Sequence, residues 1–384
     1  MRRAPIFILD EPHYHRARLG QRQRFRGVAL AIEPPAIHAV VVRERGVIRA
    51  EAFVDGESAD VASVTRASGL PDAERCRFAL DLDVRGGTAY VFHGRCVDGT
   101  EVPLFVYDLT GAEDEADRQA ACLRAVCEMP MPPADLLLVT QGGTDVESYR
   151  DSIVSAHLAL RALLGRSGVD PDRVRRMLDI GCGTGRLLAG WRLDEMMSEG
   201  RDEPRTLVGV DIDAACIEWN RTHLPDVADW EVGSLGPPLT FADRTVEGAT
   251  FDLIVLASVF THLSLDRQRG WVRELARLVR PDGAVVITLH GEPYAAALLD
   301  PDRQRMLREA GHLELETDRE GGHAYLAFHE ERFAYDLFGD AFAQVDGYPR
   351  GVPSSGPPRL FPCAALQDVY ILRAPRERGS GDER

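Results

Sequence analysis

The feature that most limits what this chain can fold into is the stretch Asp179-Ile180-Gly181-Cys182-Gly183-Thr184-Gly185. It follows the apolar run RRMLDIG (175–181) and precedes RLLAGWRLDEMM, so it joins a strand to a helix. Glycines at such a junction let the backbone pass close to a ligand, because no Cβ intervenes. A dinucleotide site would carry a third glycine at position 186. Here that position is Arg186 and the third glycine is Gly185, so the turn reads GxGxG with an acid two residues before it. That difference disfavours a dehydrogenase.

Around this turn, helix-like and strand-like segments alternate. ESYRDSIVSAHLALRALLGR (147–166) is an amphipathic helix, TLVGVDID a strand and AACIEWNRTH a helix. FDLIVLASVF (251–260) is bare enough to be buried on both faces. LDRQRGWVRELARLVR is a helix closed by Pro281-Asp282-Gly283, and AVVITLH (284–290) is a further strand. This order predicts a doubly wound, Rossmann-like α/β sheet. Asp211 ends the strand in LVGVDID, where an ionised carboxylate can accept both hydroxyls of a ribose. Asp213 is better placed to cap the helix 214–223.

The first 110 residues read differently. AIHAVVV (36–42), VIRAEAFV (47–54), CRFALDL (76–82) and TAYVFHGRCV (88–97) are short strands separated by turn formers such as Asp55-Gly56, Gly86-Gly87 and Asp98-Gly99. They predict a smaller antiparallel β-sandwich. GAEDEADRQAACLRAVCEM (111–129) is the one clear helix of this half, and MPMPP (129–133) breaks the chain. The expected organisation is a sandwich domain over 1–128, a linker over 129–144, an α/β domain over 145–374 and a disordered polar tail over 375–384.

Composition removes several functional classes. The chain has 384 residues, 61 acids and 45 bases, all arginine, giving a net charge of −16. That balance argues against a nucleic-acid binder. The seven cysteines are scattered with no CxxC pair, as expected of a reducing compartment. The N-terminal apolar run is too short for a signal peptide, and no apolar run approaches the length of a membrane span. A cytoplasmic protein is expected.

MLDIGCGTGR, LVGVDID, FDLIVLASVFTHL and LARLVRPDGAVVITLHG, in that order, resemble the motifs of class I S-adenosylmethionine-dependent methyltransferases over roughly 145–374. The resemblance implies that Asp179, Gly181, Cys182, Gly183 and Gly185 hold the methionyl part and ribose of the cofactor. It implies that Asp211 binds the ribose hydroxyls, that Ile212 packs on the adenine, and that Gly233, Ser234 and Leu235 line it. Ala257, Ser258 and Phe260 would pass near the sulfonium and methyl. Many members carry an acid near 234, where this chain has Ser234, which leaves adenine recognition to backbone groups. SVFTHLS, TLHGE, FHEERF (328–333) and LQDVYILR (366–373) are similar to methyltransferases of bacterial cell-surface polysaccharide and glycan modification. RGVALAIEPPAIHAVVV, AFVDGESADVA and SGLPDAERCRFALDL resemble the small β-sandwich modules attached to such enzymes and to glycosyltransferases. A glycan or small-molecule acceptor follows, with the sandwich as a substrate-binding, dimer-forming or scaffolding module.

A sugar hydroxyl is a very weak acid, so its methylation benefits from a base, and histidine suits neutral pH. His262 and His290 lie at the carboxyl ends of consecutive strands, where this sheet type binds ligands, and His329 lies in FHEERF. Glu292 could orient one of them or act itself. Tyr149 and Arg150 lie on the helix before the glycine strand and could meet the cofactor carboxylate. The HxH of His13 and His15 lacks a third ligand, and Asp266 is an isolated carboxylate, so no metal site is expected. Trp191, Trp219 and Trp271 read as core, and Arg22, Arg24 and Arg26 as a solvated strand face. Two other readings remain: methylation of a non-sugar metabolite at nitrogen or oxygen, and a cofactor-binding assembly module without catalysis.

Overall fold

The computed structural model describes residues 5–11, 21–85, 87–108, 125–197, 204–241, 244–316, 319–322, 324–349 and 367–376. Seven strands in the N-terminal part are β1 (Ile6–Glu11), β2 (Gln21–Leu30), β3 (Ile37–Glu44), β4 (Val47–Phe53), β5 (Arg77–Val84), β6 (Ala89–Cys96) and β7 (Glu101–Asp108). They form two antiparallel sheets, ordered β1-β2-β5 and β4-β3-β6-β7. Alternation explains the arrangement, since every second residue of β5 and β6 is buried. Phe7, Phe25 and Phe78 of the first sheet share one apolar cluster with Val40, Phe92, Phe105 and Tyr107 of the second. Phe25 meets Tyr107 edge-on at 5.4 Å and Phe7 stacks on Phe105 at 5.8 Å. Such ring pairs add about 0.5–1.5 kcal/mol each beyond their burial. Arg22, Arg24 and Arg26 occupy the exposed side of β2.

The second part holds one seven-stranded sheet. Its strands are β8 (Arg176–Ile180), β9 (Thr206–Asp211), β10 (Asp229–Val232), β13 (Phe251–Leu256), β14 (Val279–Leu289), β17 (Phe342–Tyr348) and β18 (Asp368–Pro375), in the order β10-β9-β8-β13-β14-β18-β17. Two small hairpins complete the list, β11 (Thr240–Phe241) with β12 (Arg244–Thr245), and β15 (His312–Glu316) with β16 (Tyr325–His329). The pairs from β10 through β14 are parallel, whereas β18 runs antiparallel to both β14 and β17. The sheet is thus mostly parallel, with β18 running against its neighbours.

Both faces of the sheet are covered. Leu253 and Val255 of β13 point into a cluster with Leu160, Leu188, Trp191 and Ile217. Ile254 and Leu256 point the other way, toward Trp271, Leu275 and Phe338. The helices behind these residues are Val146–Arg166, Arg186–Met197 and Ala214–His223 on one face, and Leu265–Leu278 and Glu331–Gly339 on the other. Among the described residues no helix is long and apolar enough to cross a membrane.

Two sequence expectations meet the structure at 111–144. Residues 111–124 of the expected helix lie outside the described residues, and 125–128 are helical. Residues 134–141, assigned to a linker, form a helix Ala134–Gln141 with Leu136 and Leu137 buried. Pro133 is its N-cap, and Gly142 ends it in the left-handed region. The proline-rich stretch thus starts a helix as well as breaking one. The tail from 377 and the His13–His15 pair lie outside the described residues.

Candidate functional site

At the carboxyl ends of the parallel strands lies a cavity of about 770 Å³. The glycine turn forms its floor. Gly181, Gly183 and Gly185 have φ values of 75°, 51° and 79°, which only glycine adopts at little cost. A Cβ on Gly181 would come within 2.4 Å of Val259 Cγ2, and one on Gly183 within 2.7 Å of Thr140 Cγ2. Gly181 and Cys182 donate their backbone N–H groups to Val210 O, at 2.7 and 3.1 Å. Those bonds tie the turn to β9.

Asp211 ends β9 and lines the cavity. Its Oδ2 accepts the Gly183 N–H at 2.7 Å and its Oδ1 accepts the Asp213 N–H at 2.8 Å. Each carboxylate oxygen keeps a further acceptor site toward the cavity. Asp213 caps the next helix by accepting from Ala215 N at 2.9 Å, as its position predicts. Asp179 is buried beside this carboxylate, and burial together with the Asp211 charge pushes its pKa up to about 8. Asp211 is itself raised by burial, against the pull of its backbone donors. A buried pair of acids with raised pKa values favours a ligand that brings positive charge.

Arg186 supplies the cation on this side. Its Nη2 donates to Thr140 O at 2.8 Å, and its guanidinium carbon lies 5.7 Å from the centre of the Tyr149 ring. Tyr149 and Arg150, the expected carboxylate partners, are spent elsewhere. The Tyr149 hydroxyl donates to the Thr184 pair, O at 3.0 Å and Oγ1 at 2.7 Å, and Arg150 pairs with Glu147 at 2.6 Å. Arg186 lines the cavity in their place, alongside Thr140, Gln141 and Gly142 from the Ala134–Gln141 helix.

Ile212, Gly233, Ser234 and Leu235 form the next wall, with Leu239 and Trp271 behind them. Trp271 Nε1 donates to Leu235 O at 3.1 Å. Residues 319–322 cross this wall: a Cβ on Gly321 would stand 2.6 Å from Leu235 and 3.2 Å from Ile212. Glu320 anchors the crossing by accepting from Ser264 N at 2.8 Å and Arg267 Nε at 2.7 Å.

The far end of the cavity holds Ala257, Ser258, His262, His290, Tyr294, Leu326 and Gln367. Ser258 has φ 59°, a strained value for a residue with a side chain. A ring of hydrogen bonds holds it. Ser258 N donates to Thr288 Oγ1 at 2.7 Å, Thr288 Oγ1 donates to Gln367 Oε1 at 2.6 Å, and Gln367 Nε2 donates to Ser258 Oγ at 2.8 Å. His262 follows on a single 3₁₀ turn, Phe260–His262. Its Nδ1 lies 2.8 Å from Tyr325 O. A carbonyl only accepts, so Nδ1 carries the proton and Nε2 is the basic nitrogen. His290 is buried, 6.2 Å from His262 ring to ring, and stacks on Tyr294 at 3.9 Å. Burial and the nearby His262 hold its pKa well below the usual histidine value.

Three expected site residues lie off this cavity. Phe260 packs into the core 6.2 Å from Phe338, because the 3₁₀ turn that sends His262 into the cavity sends Phe260 under the sheet. His329 is buried, 2.8 Å from Gln268 Oε1 through Nε2. Period-two alternation on β16 puts Leu326 on the cavity side and His329 on the other. Gly185 stands behind the floor, where a Cβ would come within 2.5 Å of Trp230 Cη2. Glu292 is exposed and away from the cavity, and Asp266 is a solvent residue 3.7 Å from Arg269. Among the described residues no group of His, Cys, Asp or Glu is arranged to hold a metal ion.

Sequence reasoning passed over Arg186 as a binding group, and over Tyr294, Gln367 and the 134–142 segment. Arg186 had a visible signal in its place next to Gly185. Gln367 had none, because 109 residues separate it from Ser258.

Residues 150–330 match the family model described as "Methyltransferase domain". Solved structures that this chain matches include a protein of Pyrococcus horikoshii OT3, at 15% identity and TM-score 0.38, covering 59% of this chain and 91% of that one. A SAM-dependent methyltransferase of Methanosarcina mazei is 18% identical with TM-score 0.36, covering 53% of this chain and 93% of that one. The CMeT domain of the citrinin polyketide synthase is 16% identical with TM-score 0.39, covering 73% and 74%.

Proposed function

We propose, from the premise that this chain is an S-adenosylmethionine-dependent methyltransferase, that it methylates a sugar hydroxyl of a glycan or glycosylated small molecule with His262 as the base. The cofactor supplies an electrophilic methyl group on a sulfonium. Asp211 would accept the ribose hydroxyls, Asp179 and Arg186 would take the ammonium and carboxylate of the methionyl part, and Ile212, Leu235 and Trp271 would flank the adenine. Ala257 and Ser258 would stand by the sulfonium. The residues already present fit this ligand: glycines that leave room for its backbone contact, a carboxylate with spare acceptor sites, and a buried acid pair that suits a cation.

The observation that carries the base assignment is the 2.8 Å contact of His262 Nδ1 with Tyr325 O. It fixes the tautomer that presents Nε2 to the cavity and steadies the charge once Nε2 takes the hydroxyl proton. His290 is buried with a backbone bond to Ala327, and burial together with the nearby His262 lowers its pKa. We further read residues 1–128 as a β-sandwich module, 145–374 as the catalytic domain, and the cytoplasm as the place of reaction.

The test is transfer of labelled methyl from S-adenosylmethionine to a panel of nucleotide sugars and to their non-sugar counterparts. Methylation of sugars that falls about 10²–10⁴-fold in His262→Ala, with S-adenosylhomocysteine affinity kept, is the expected result. Turnover of only the non-sugar set would establish the metabolite reading. Near-normal turnover by His262→Ala would remove the base.

A further inference from the structure

The short helix Glu292–Leu298 has two sides with different neighbours. At about 100° per residue, Ala297 and Leu298 lie within about 60° of Tyr294, and Ala296 lies roughly opposite it. Tyr294 faces the cavity and stacks on His290 at 3.9 Å. Ala296 and Ala297 are buried in a cluster with Ile6, Val28, Leu30 and Ile32 of the N-terminal sheets. Small side chains there allow the helix to lie directly on that part of the chain.

A polar contact reinforces the apolar one. The single Ser68 hydroxyl proton is shared between two carbonyls, Thr65 O at 2.7 Å and Ala297 O at 2.9 Å. The last carbonyls of a helix have no partner within it, so Ser68 satisfies one of them from 229 residues away. The other end is fixed as closely: a Cβ on Gly291 would stand 1.8 Å from Asp368 Oδ2.

We propose that the N-terminal sheets brace this helix from behind, holding it so that Tyr294 and the stacked His290 face the acceptor, with Ser68 as a positioning residue. The proposal rests on the reading of the cavity as the methyl-transfer site. Every residue that lines the cavity lies beyond 138, so the N-terminal module can act on the acceptor only through the helix it packs against.

The test uses the full chain as wild type, Ser68→Ala and Ser68→Thr. Hydrogen exchange of the peptide over 292–299 is measured in the S-adenosylhomocysteine complex, together with kinetics on whichever acceptor the labelled-methyl panel identifies. Losing one hydrogen bond to a carbonyl should speed exchange there, and lower kcat/KM for the acceptor, by about five- to ten-fold. S-adenosylhomocysteine affinity should stay within twofold, and Ser68→Thr, which keeps a hydroxyl, should restore both. Wild-type exchange in Ser68→Ala would overturn the clamp. Faster exchange with unchanged acceptor kinetics would overturn its role in placing the acceptor. Failure of every panel acceptor would count against both the sugar and the metabolite readings and against the acceptor role, whereas the exchange measurement would still decide the clamp.

Discussion

Cofactor binding should expel a proton from Asp179, and the number of protons can be worked out in advance. Burial and the Asp211 charge hold this carboxyl at a pKa of about 8. At pH 7 it is therefore ~0.9 protonated, by the ordinary titration relation at one unit below the pKa. A cation brought within a few ångströms favours the ionised form and lowers such a pKa by roughly 1–3 units. If the α-ammonium of S-adenosylhomocysteine docks against Asp179, the bound carboxyl is mostly ionised, and between ~0.4 and ~0.9 of a proton leaves per ligand. The assay is calorimetric titration at pH 7 in phosphate and in Tris. The released proton is taken up by the buffer, so the observed enthalpy should be more exothermic in Tris. The slope against buffer ionisation enthalpy gives the proton number. At pH 9 the free carboxyl is only ~0.1 protonated, and its share of the proton release should nearly vanish. Asp179→Asn should abolish it at both pH values. Binding by wild type at pH 7 with identical enthalpies in the two buffers would refute the argument.

The same carboxyl makes the ligand-free protein less stable as pH rises. The folded state keeps a proton that the unfolded chain gives up near pH 4, so this contribution is full below pH 4 and is lost progressively up to about pH 8. Melting of wild type should fall over that window more steeply than melting of Asp179→Asn. If Asp211 accepts both ribose hydroxyls as proposed, Asp211→Ala would remove two charge-assisted hydrogen bonds worth about 1.5–3 kcal/mol each and should weaken S-adenosylhomocysteine binding by about 10²–10⁴-fold in calorimetry. Less than tenfold in a protein with an intact circular dichroism spectrum would contradict the ribose assignment. Gly209→Ala drives a Cβ to 2.4 Å from Trp230 Cζ3 and should cost about 1–3 kcal/mol in urea unfolding. Gly165→Ala, in a helix with nothing within 4 Å, should instead gain about 0.5–1 kcal/mol.

Local patterns carried the parallel part of the sheet. Each of β8, β9, β13 and β14 is an apolar run bounded by a turn or a helix signal, and burial on both faces leaves such runs little choice. The glycine turn and Asp211 were legible for the same reason, since φ and spacing are local properties. What escaped was decided at a distance. The antiparallel β18 looks like any other apolar strand until its partners on both sides are known. The sequence DLLLVTQ reads as an interruption after MPMPP, yet Leu136 and Leu137 find buried positions and Thr140 reaches the glycine turn. His262, His290 and His329 were all candidate bases in the sequence, the first two at strand ends and the third in FHEERF. Only the 3₁₀ turn, the carbonyl of Tyr325 and the alternation along β16 separate them.

The position of β18 also bears on how this protein can be made. It lies between β14 and β17, inside the sheet, although it comes after both in the chain. During synthesis from the N-terminus, β14 and β17 must wait without a shared neighbour until 368–375 has left the ribosome. Gln367, which closes the ring of bonds around Ser258, emerges in the same short stretch. A nascent chain therefore carries the glycine turn and Asp211 long before Ser258 has its ring of bonds, and β14 gains its second neighbour and the cavity its last wall together.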